Sequence, residues 1–183
     1  MKTSFSKIWH LVSSRYLAGG FVIASLLLGA CDENLAFSEY KSIPKEGWGM
    51  RDTLDFTIDS LESKGDYVLV LGIRTSSAKA YTFKDVQMQV EQTWEASVKE
   101  GRQDSSQCVM PFDTVVDTIK YKLVDDKGES LGVGISNYQY LHTLDTLSLP
   151  VGAKGKVRVL HRMRKPNLTG IVNVGVELRY LDK

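Results

Sequence analysis

From residue 54 onward the chain alternates between apolar and polar positions with a period of two. Leu54, Phe56 and Ile58 interleave with Thr53, Asp55, Thr57 and Asp59, the pattern of a strand with one buried face. Val86, Met88, Val90 and Trp94 share one parity, with Gln87, Gln89 and Glu91 on the other. Ile119, Tyr121 and Leu123 interleave with Lys120 and Lys122, and Asp125-Asp-Lys-Gly128 then supplies a turn. Val157, Val159, His161 and Met163 alternate with Lys156, Arg158, Arg162 and Arg164, and Val172 to Tyr180 repeats the scheme. Tyr67 to Ile73 is apolar throughout, which predicts a strand that is central or covered on both faces. Tyr138 to Leu149 is aromatic and β-branched enough for one or two strands before Pro150-Val-Gly152 stops it.

No segment after residue 31 holds an apolar stripe of helical period for three turns. About seven or eight strands with turn-rich links predict an all-β domain, a single antiparallel β-sandwich of immunoglobulin-like or jelly-roll-like topology. Residues 32–47 are polar and broken by Pro44 and Gly47, which reads as a tether. Ala96 to Pro111 lacks periodicity and reads as a surface loop.

The beginning of the chain follows different rules. Lys2, Lys7 and Arg15 precede a short apolar run from Tyr16 to Leu28, and the first acidic residue is Asp32. A bilayer-spanning helix needs about 20 apolar residues, whereas a signal-peptide core needs roughly 7–15. The run ends Leu28-Gly29-Ala30-Cys31, which looks like a bacterial lipobox, where the cysteine thiol is diacylated and the chain is cut before it. Two or three acyl chains anchor far more firmly than one. The expected division is therefore a lipoprotein signal peptide over 1–30, a lipidated Cys31 with a flexible tether over 31–47, and the sandwich over 48–183. The expected location is the outer membrane, with periplasmic or surface orientation open.

Charge and chemistry narrow the function. Three of 23 basic residues lie before Cys31, leaving 20 against 22 acids and a net charge of −2 on the remainder. That near-neutral balance gives no field for nucleic acid. With Cys31 acylated, Cys108 has no disulfide partner. His142 and His161 stand at no metal-ligand spacing, and His161 falls on the apolar parity of its strand as a core histidine. Gly132-Val-Gly134 lacks the third glycine and following helix of a phosphate-binding turn. Asp125, Asp126 and Glu129 do not match calcium-loop spacing, and no serine sits in a nucleophile elbow. The residues predict no catalysis, no cofactor and no metal.

Several pieces along the chain resemble the gliding-motility lipoprotein GldH family of the Bacteroidota. They are Cys31-Asp32, Gly47-Trp48, Asp52-Thr-Leu-Asp-Phe56 and Tyr67-Val-Leu-Val-Leu-Gly-Ile-Arg-Thr75. Further along come Asp117-Thr-Ile-Lys-Tyr-Lys-Leu123, Gly128-Glu-Ser-Leu-Gly-Val-Gly134, Met163-Arg164, Leu168-Thr-Gly-Ile171 and Val174-Gly-Val176. Ser76 to Ala80 departs from the family's proline and asparagine, Asn173 stands where aspartate is common, and Ala96–Pro111 looks like an insertion. The resemblance implies a non-enzymatic accessory of the gliding apparatus, which is intertwined with type IX secretion, with other motility or secretion lipoproteins and envelope proteins as partners. A housekeeping envelope role is equally open, since members occur in species that do not glide.

Candidate contact residues follow from parity. Lys156, Arg158, Arg162 and Arg164 form a basic stripe that either docks an acidic partner or lipid phosphates, or is balanced by acids on neighbouring strands. Trp48 either contacts a partner or caps the core edge. A carbohydrate-binding module is the alternative function, for which Tyr138 and Tyr140 are the candidate aromatic platform. Finally, an Asp, hydroxyl, apolar tripeptide recurs at Asp52-Thr53-Leu54, Asp59-Ser60-Leu61, Asp113-Thr114-Val115, Asp117-Thr118-Ile119 and Asp145-Thr146-Leu147. It resembles an O-glycosylation site used by Bacteroidota on exported proteins, with Thr53 and Thr114 the preferred acceptors and Ser60 third.

Overall fold

The computed structural model describes residues 34–98, 108–111 and 114–181, and every regular element among them is a strand. In chain order these are β1 (Leu35–Ser42), β2 (Trp48–Gly49), β3 (Leu54–Ile58), β4 (Gly65–Thr75), β5 (Asp85–Val98), β6 (Cys108–Pro111), β7 (Val115–Lys122), β8 (Tyr138–Leu149), β9 (Lys154–His161), β10 (Asn167–Leu168) and β11 (Ile171–Tyr180). The first sheet runs β1-β11-β4-β8. The second runs β3-β9-β5, and β5 pairs along its other edge with β7 and then β6. A two-residue ribbon joins β2 to β10. All pairings are antiparallel.

Setting aside the short β2, β6 and β10, every successive link except β5 to β7 passes from one sheet to the other. That connectivity is a jelly roll, which resolves the choice left open by periodicity. The sheets meet through the parity the sequence marked as apolar. Leu69, Leu71 and Ile73 of β4 and Val174, Val176 and Leu178 of β11 share one core with Phe56, Ile58, Val86, Met88, Val157 and Val159. Removing each such side chain from water is worth roughly 1.5–3 kcal/mol. The uniformly apolar run is explained by position, since β4 lies between β11 and β8 and Val70 on its other face is also buried.

Two expectations are corrected. Residues 35–42 are not tether: β1 is an edge strand of the first sheet, paired with β11 from Leu35↔Arg179 to Ser42↔Asn173. A register shift between Leu35 and Phe37 lets the adjacent Ala36 and Phe37 both pack against the core, so the strand hides its alternation. Likewise Ala96–Pro111 is not wholly loop, because β5 continues to Val98 and pairs there with β6. Backbone hydrogen bonding, rather than apolar periodicity, defines that hairpin. Gly170, within Leu168-Thr-Gly-Ile171, turns the chain into β11 at φ +94° against the Ala80 carbonyl, where a Cβ would overlap.

Candidate functional site

The predicted basic stripe lies on the outer face of the second sheet, and the register sets acids beside it. Asp55 on β3 and Glu91 on β5 are the cross-strand neighbours of Arg158 on β9. Arg158 donates to Asp55 Oδ1 at 3.0 Å and to Glu91 Oε2 at 3.1 Å, while Lys156 Nζ stands 3.9 Å from Asp55. Arg162 donates to Gln89 Oε1 at 2.8 Å, and Gln89 donates in turn to Glu91 Oε1 at 2.8 Å. The stripe is thus a ladder of alternating sign. Its last member leaves the sheet altogether: β9 ends at His161, so Arg164 is exposed in the following segment rather than in register with Arg158.

The outer face of the first sheet is organised differently, around one tyrosine. Tyr40 on β1 is paired with Gly175, which is paired with Gly72. With no Cβ at either glycine, the Tyr40 ring lies across both strands, and a side chain at 72 or 175 would strike it. Its hydroxyl donates to Glu177 Oε1 at 2.7 Å and accepts from Gln139 Nε2 at 3.1 Å. Arg179 donates to Glu177 Oε2 from Nε at 2.9 Å and Nη2 at 2.7 Å, and this carboxylate is buried. The Arg74 guanidinium stacks over the Tyr40 ring, 3.8 Å from its centroid, and its Nε donates to Gln139 Oε1 at 3.3 Å. Burial, reinforced by the hydrogen bond to Glu177, pushes the Tyr40 hydroxyl well above the usual phenol range. The network draws on all four strands, and Gly72, Arg74 and Gly175 lie in the quoted family pieces. Parity alone does not reveal it, because nothing local links residue 40 to residues 74, 139 and 177.

Trp48 is core, not contact surface. It is 1% exposed, its indole N–H donates to the Asp52 carbonyl at 2.9 Å, and its ring meets His161 edge-on at 5.3 Å. His161 is buried with its Nε2 3.0 Å from the Trp48 carbonyl and its Nδ1 without a partner among the described residues. Burial holds its pKa below the ordinary histidine value. Tyr140 is buried too, its hydroxyl 2.7 Å from Ser130 Oγ, and Tyr138 is half-buried against the core, so these two form no exposed platform. Another polar tie went unread in the sequence. Gln92, on the inward parity of β5, donates to Asp145 Oδ2 of β8 at 3.0 Å and accepts from Trp94 Nε1 at 3.1 Å, joining the two sheets.

Among the tripeptides, Ser60 and Thr114 are exposed, with Thr114 Oγ1 3.0 Å from Thr93 Oγ1. Thr53 is half-buried and precedes β3 instead of lying on its open face. Asp125 Oδ1 accepts from Lys127 N at 2.9 Å and Glu129 N at 2.8 Å, an Asx turn. No metal-holding group of three or more His, Cys, Asp or Glu occurs among the described residues. Cys31 lies outside the described residues, as does the side chain of Cys108.

The family match covers both sheets, because the GldH lipoprotein family aligns with residues 35–178. The chain belongs to the GldH lipoprotein family. It is 23% identical to the "Gliding motility lipoprotein GldH homolog" of Christiangramia forsetii over 88% of this chain and 94% of that protein. It is also 23% identical to the "Gliding motility lipoprotein GldH" of Flavobacterium johnsoniae over 90% of this chain and 97% of that protein. Among solved structures, a protein from Sulfurospirillum deleyianum is 10% identical with a TM-score of 0.45, covering 80% of this chain and 99% of that one. A family 35 carbohydrate binding module from Clostridium thermocellum is 10% identical with a TM-score of 0.34, covering 79% and 90%. The GldH relatives are named for gliding motility and not for a catalysed reaction, and membership of a lipoprotein family implies membrane association.

Proposed function

We propose that this GldH-family protein is a non-enzymatic outer-membrane lipoprotein, anchored through acylated Cys31. In this reading it serves as a structural or interaction component of the envelope machinery for gliding motility and type IX secretion. The observation that carries this reading is the family match over residues 35–178, which spans the jelly roll from β1 to β11. The division into a signal peptide over 1–30 and a lipid-bearing Cys31 belongs to the same proposal. Partners of acidic chemistry are the expected class. Lys156, Arg158 and Arg162 engage neighbours on their own sheet, whereas Arg74 is held rigid by Tyr40 with its two terminal nitrogens unpartnered among the described residues. Exposed Ser60 and Thr114 are the favoured glycan acceptors.

Affinity purification from cross-linked cells, comparing wild type with Arg74→Glu, tests the reading. Specific co-purification of envelope or motility proteins, lost in the variant, supports it; recovery of no envelope protein with the wild type refutes it. Intact-mass analysis of the protein from its native host tests the remainder. An acylated mature chain with hexose-sized increments is expected, and a mass equal to the acylated polypeptide alone removes the glycan.

A further inference from the structure

Acylation of Cys31, on which this inference rests, fixes more than attachment, because β1 begins at Leu35. Four residue steps separate Cys31 from Leu35, so a fully extended chain spans at most about 14 Å between them. A flexible tether through residue 47 would have left the orientation free. The strand at 35–42 shortens that leash, so an acylated Cys31 keeps this end of the jelly roll within about 14 Å of the lipid.

That end can be read from the register. β1 starts beside Arg179 near the end of β11, and Tyr180 N donates to the Asn34 carbonyl at 2.7 Å. Leu181 N donates to the Asp66 carbonyl at 2.9 Å, and Gly65 at the start of β4 pairs with Leu149 at the end of β8. The turn from β8 to β9 carries Val151. Among the described residues, three large apolar side chains are exposed along this end: Leu35 at 37%, Leu181 at 49% and Val151 at 57%. They come from three segments remote in sequence, and the strand order places all three at the end where β1 begins, with Val151 on the far edge of the first sheet. Among the described residues the charges of this end are mixed, with Lys64 and Lys154 set against Asp59, Glu62, Asp66 and Glu95. Attraction to anionic headgroups is therefore weak, and apolar contact is what this end offers a bilayer.

We propose that the domain seats end-on upon the membrane through Leu35, Val151 and Leu181. The three side chains enter the headgroup–acyl boundary, and the acyl anchor supplies the effective concentration that so small a patch needs. The segment before β8, with Ile135 exposed at 97% and Val133 at 81%, then points away from the bilayer. β8 alone, 12 residues long, separates the two ends by about 40 Å.

The test uses the lipidated chain in phosphatidylcholine vesicles, where the Cys31 thiol is blocked by its lipid. In a Cys108→Ser background, Val151→Cys and Ile135→Cys are each labelled with a thiol-reactive nitrobenzoxadiazole. The 151 label should shift to the blue and be quenched several-fold more strongly by acyl-brominated lipid than the 135 label. Adding Leu181→Glu should reverse the response at 151, and adding phosphatidylglycerol should change it little. Equal quenching at both positions, a response at 135 alone, or none at 151 while the protein still floats with the vesicles overturns the seating. Failure to float, with no acyl mass on the N-terminal peptide, refutes the anchor itself and is separately visible.

Discussion

The two outer faces of this sandwich both carry charged groups and use them in opposite ways. On the second sheet, Asp55, Arg158 and Glu91 pair across strands in open solvent, with Arg158 and Asp55 side chains 46% and 47% exposed. On the first, the Glu177 side chain is only 5% exposed beside Arg179, and Tyr40 seals the glycine trough between them and Arg74. Water screens the first kind of pair and the ordering of two long side chains offsets most of its gain. The second kind is held by an aromatic ring in a shape made for it, so its hydrogen bonds form with little further loss of freedom. The difference teaches that charge on a sheet face says little about its contribution until burial and preorganisation are known.

The largest expected effect sets the scale for both faces. Leu71→Asp places a carboxylate among fully buried side chains of β4 and should cost several kcal/mol, enough to unfold much of the population. Thr57→Asp, exposed on β3, should shift the denaturant midpoint hardly at all. Similar losses at both positions would break the inward–outward assignment on which the comparison of faces depends.

Next comes Tyr40. Tyr40→Ala empties the trough over Gly72 and Gly175 and leaves Glu177 with one donor fewer, for a loss of about 2–3 kcal/mol. Tyr40→Phe keeps the ring and removes only the hydroxyl bonds to Glu177 and Gln139, for about 1 kcal/mol. Urea unfolding of the three proteins separates packing from hydrogen bonding. If Tyr40→Ala is as stable as wild type, the network is ornament and the two faces are alike.

The contrast between these regions also marks where the sequence is legible. Strands whose partners lie on one side of a simple pleat were readable: Phe56 and Ile58, Val86 to Trp94, and Val157 to His161 all bury the parity their spacing indicates. The β1 strand was not, because its bulge sets Ala36 and Phe37 both against the core and leaves a polar-looking run. The Tyr40 network was hidden for a related reason: residues 40, 74, 139 and 177 meet only once four strands have their registers. Of the residues picked out for contact, Trp48 proved to be a plug, since an aromatic beside a positive-φ glycine reads the same whether it points inward or outward.

Strand β9 holds both behaviours in alternate residues, and its buried histidine gives a prediction in pH. Burial lowers the folded-state pKa of His161 below the ordinary value of 6.5, so the folded protein favours the neutral ring. The unfolded chain binds that proton more readily. Stability from this group is therefore full above about pH 6.5 and declines as the pH falls below it, by no more than about 1.4 kcal/mol per unit. Thermal unfolding of wild type and His161→Gln between pH 7.5 and 5 should diverge in slope, with wild type the steeper. Parallel profiles would show that the ring titrates freely despite its burial.

The smallest effect belongs to the open face, and its smallness is the sharpest form of the comparison. Arg158→Ala removes the cation shared by Asp55 and Glu91, the centre of the ladder on the second sheet. Exposed pairs of this kind contribute about 0–1 kcal/mol, and the carboxylates left behind can hydrate. The loss should therefore stay below about 1 kcal/mol and shrink further when salt is raised, since ions screen exposed charges within about a Debye length. Tyr40→Phe offers the matched control, because its cost arises from hydrogen bonds at a half-buried hydroxyl and should change little with salt. Denaturant midpoints for both variants at low and high sodium chloride decide the matter. A loss at Arg158 that exceeds that of Tyr40→Phe and survives high salt would mean that the ladder, not the tyrosine trough, is the preorganised surface.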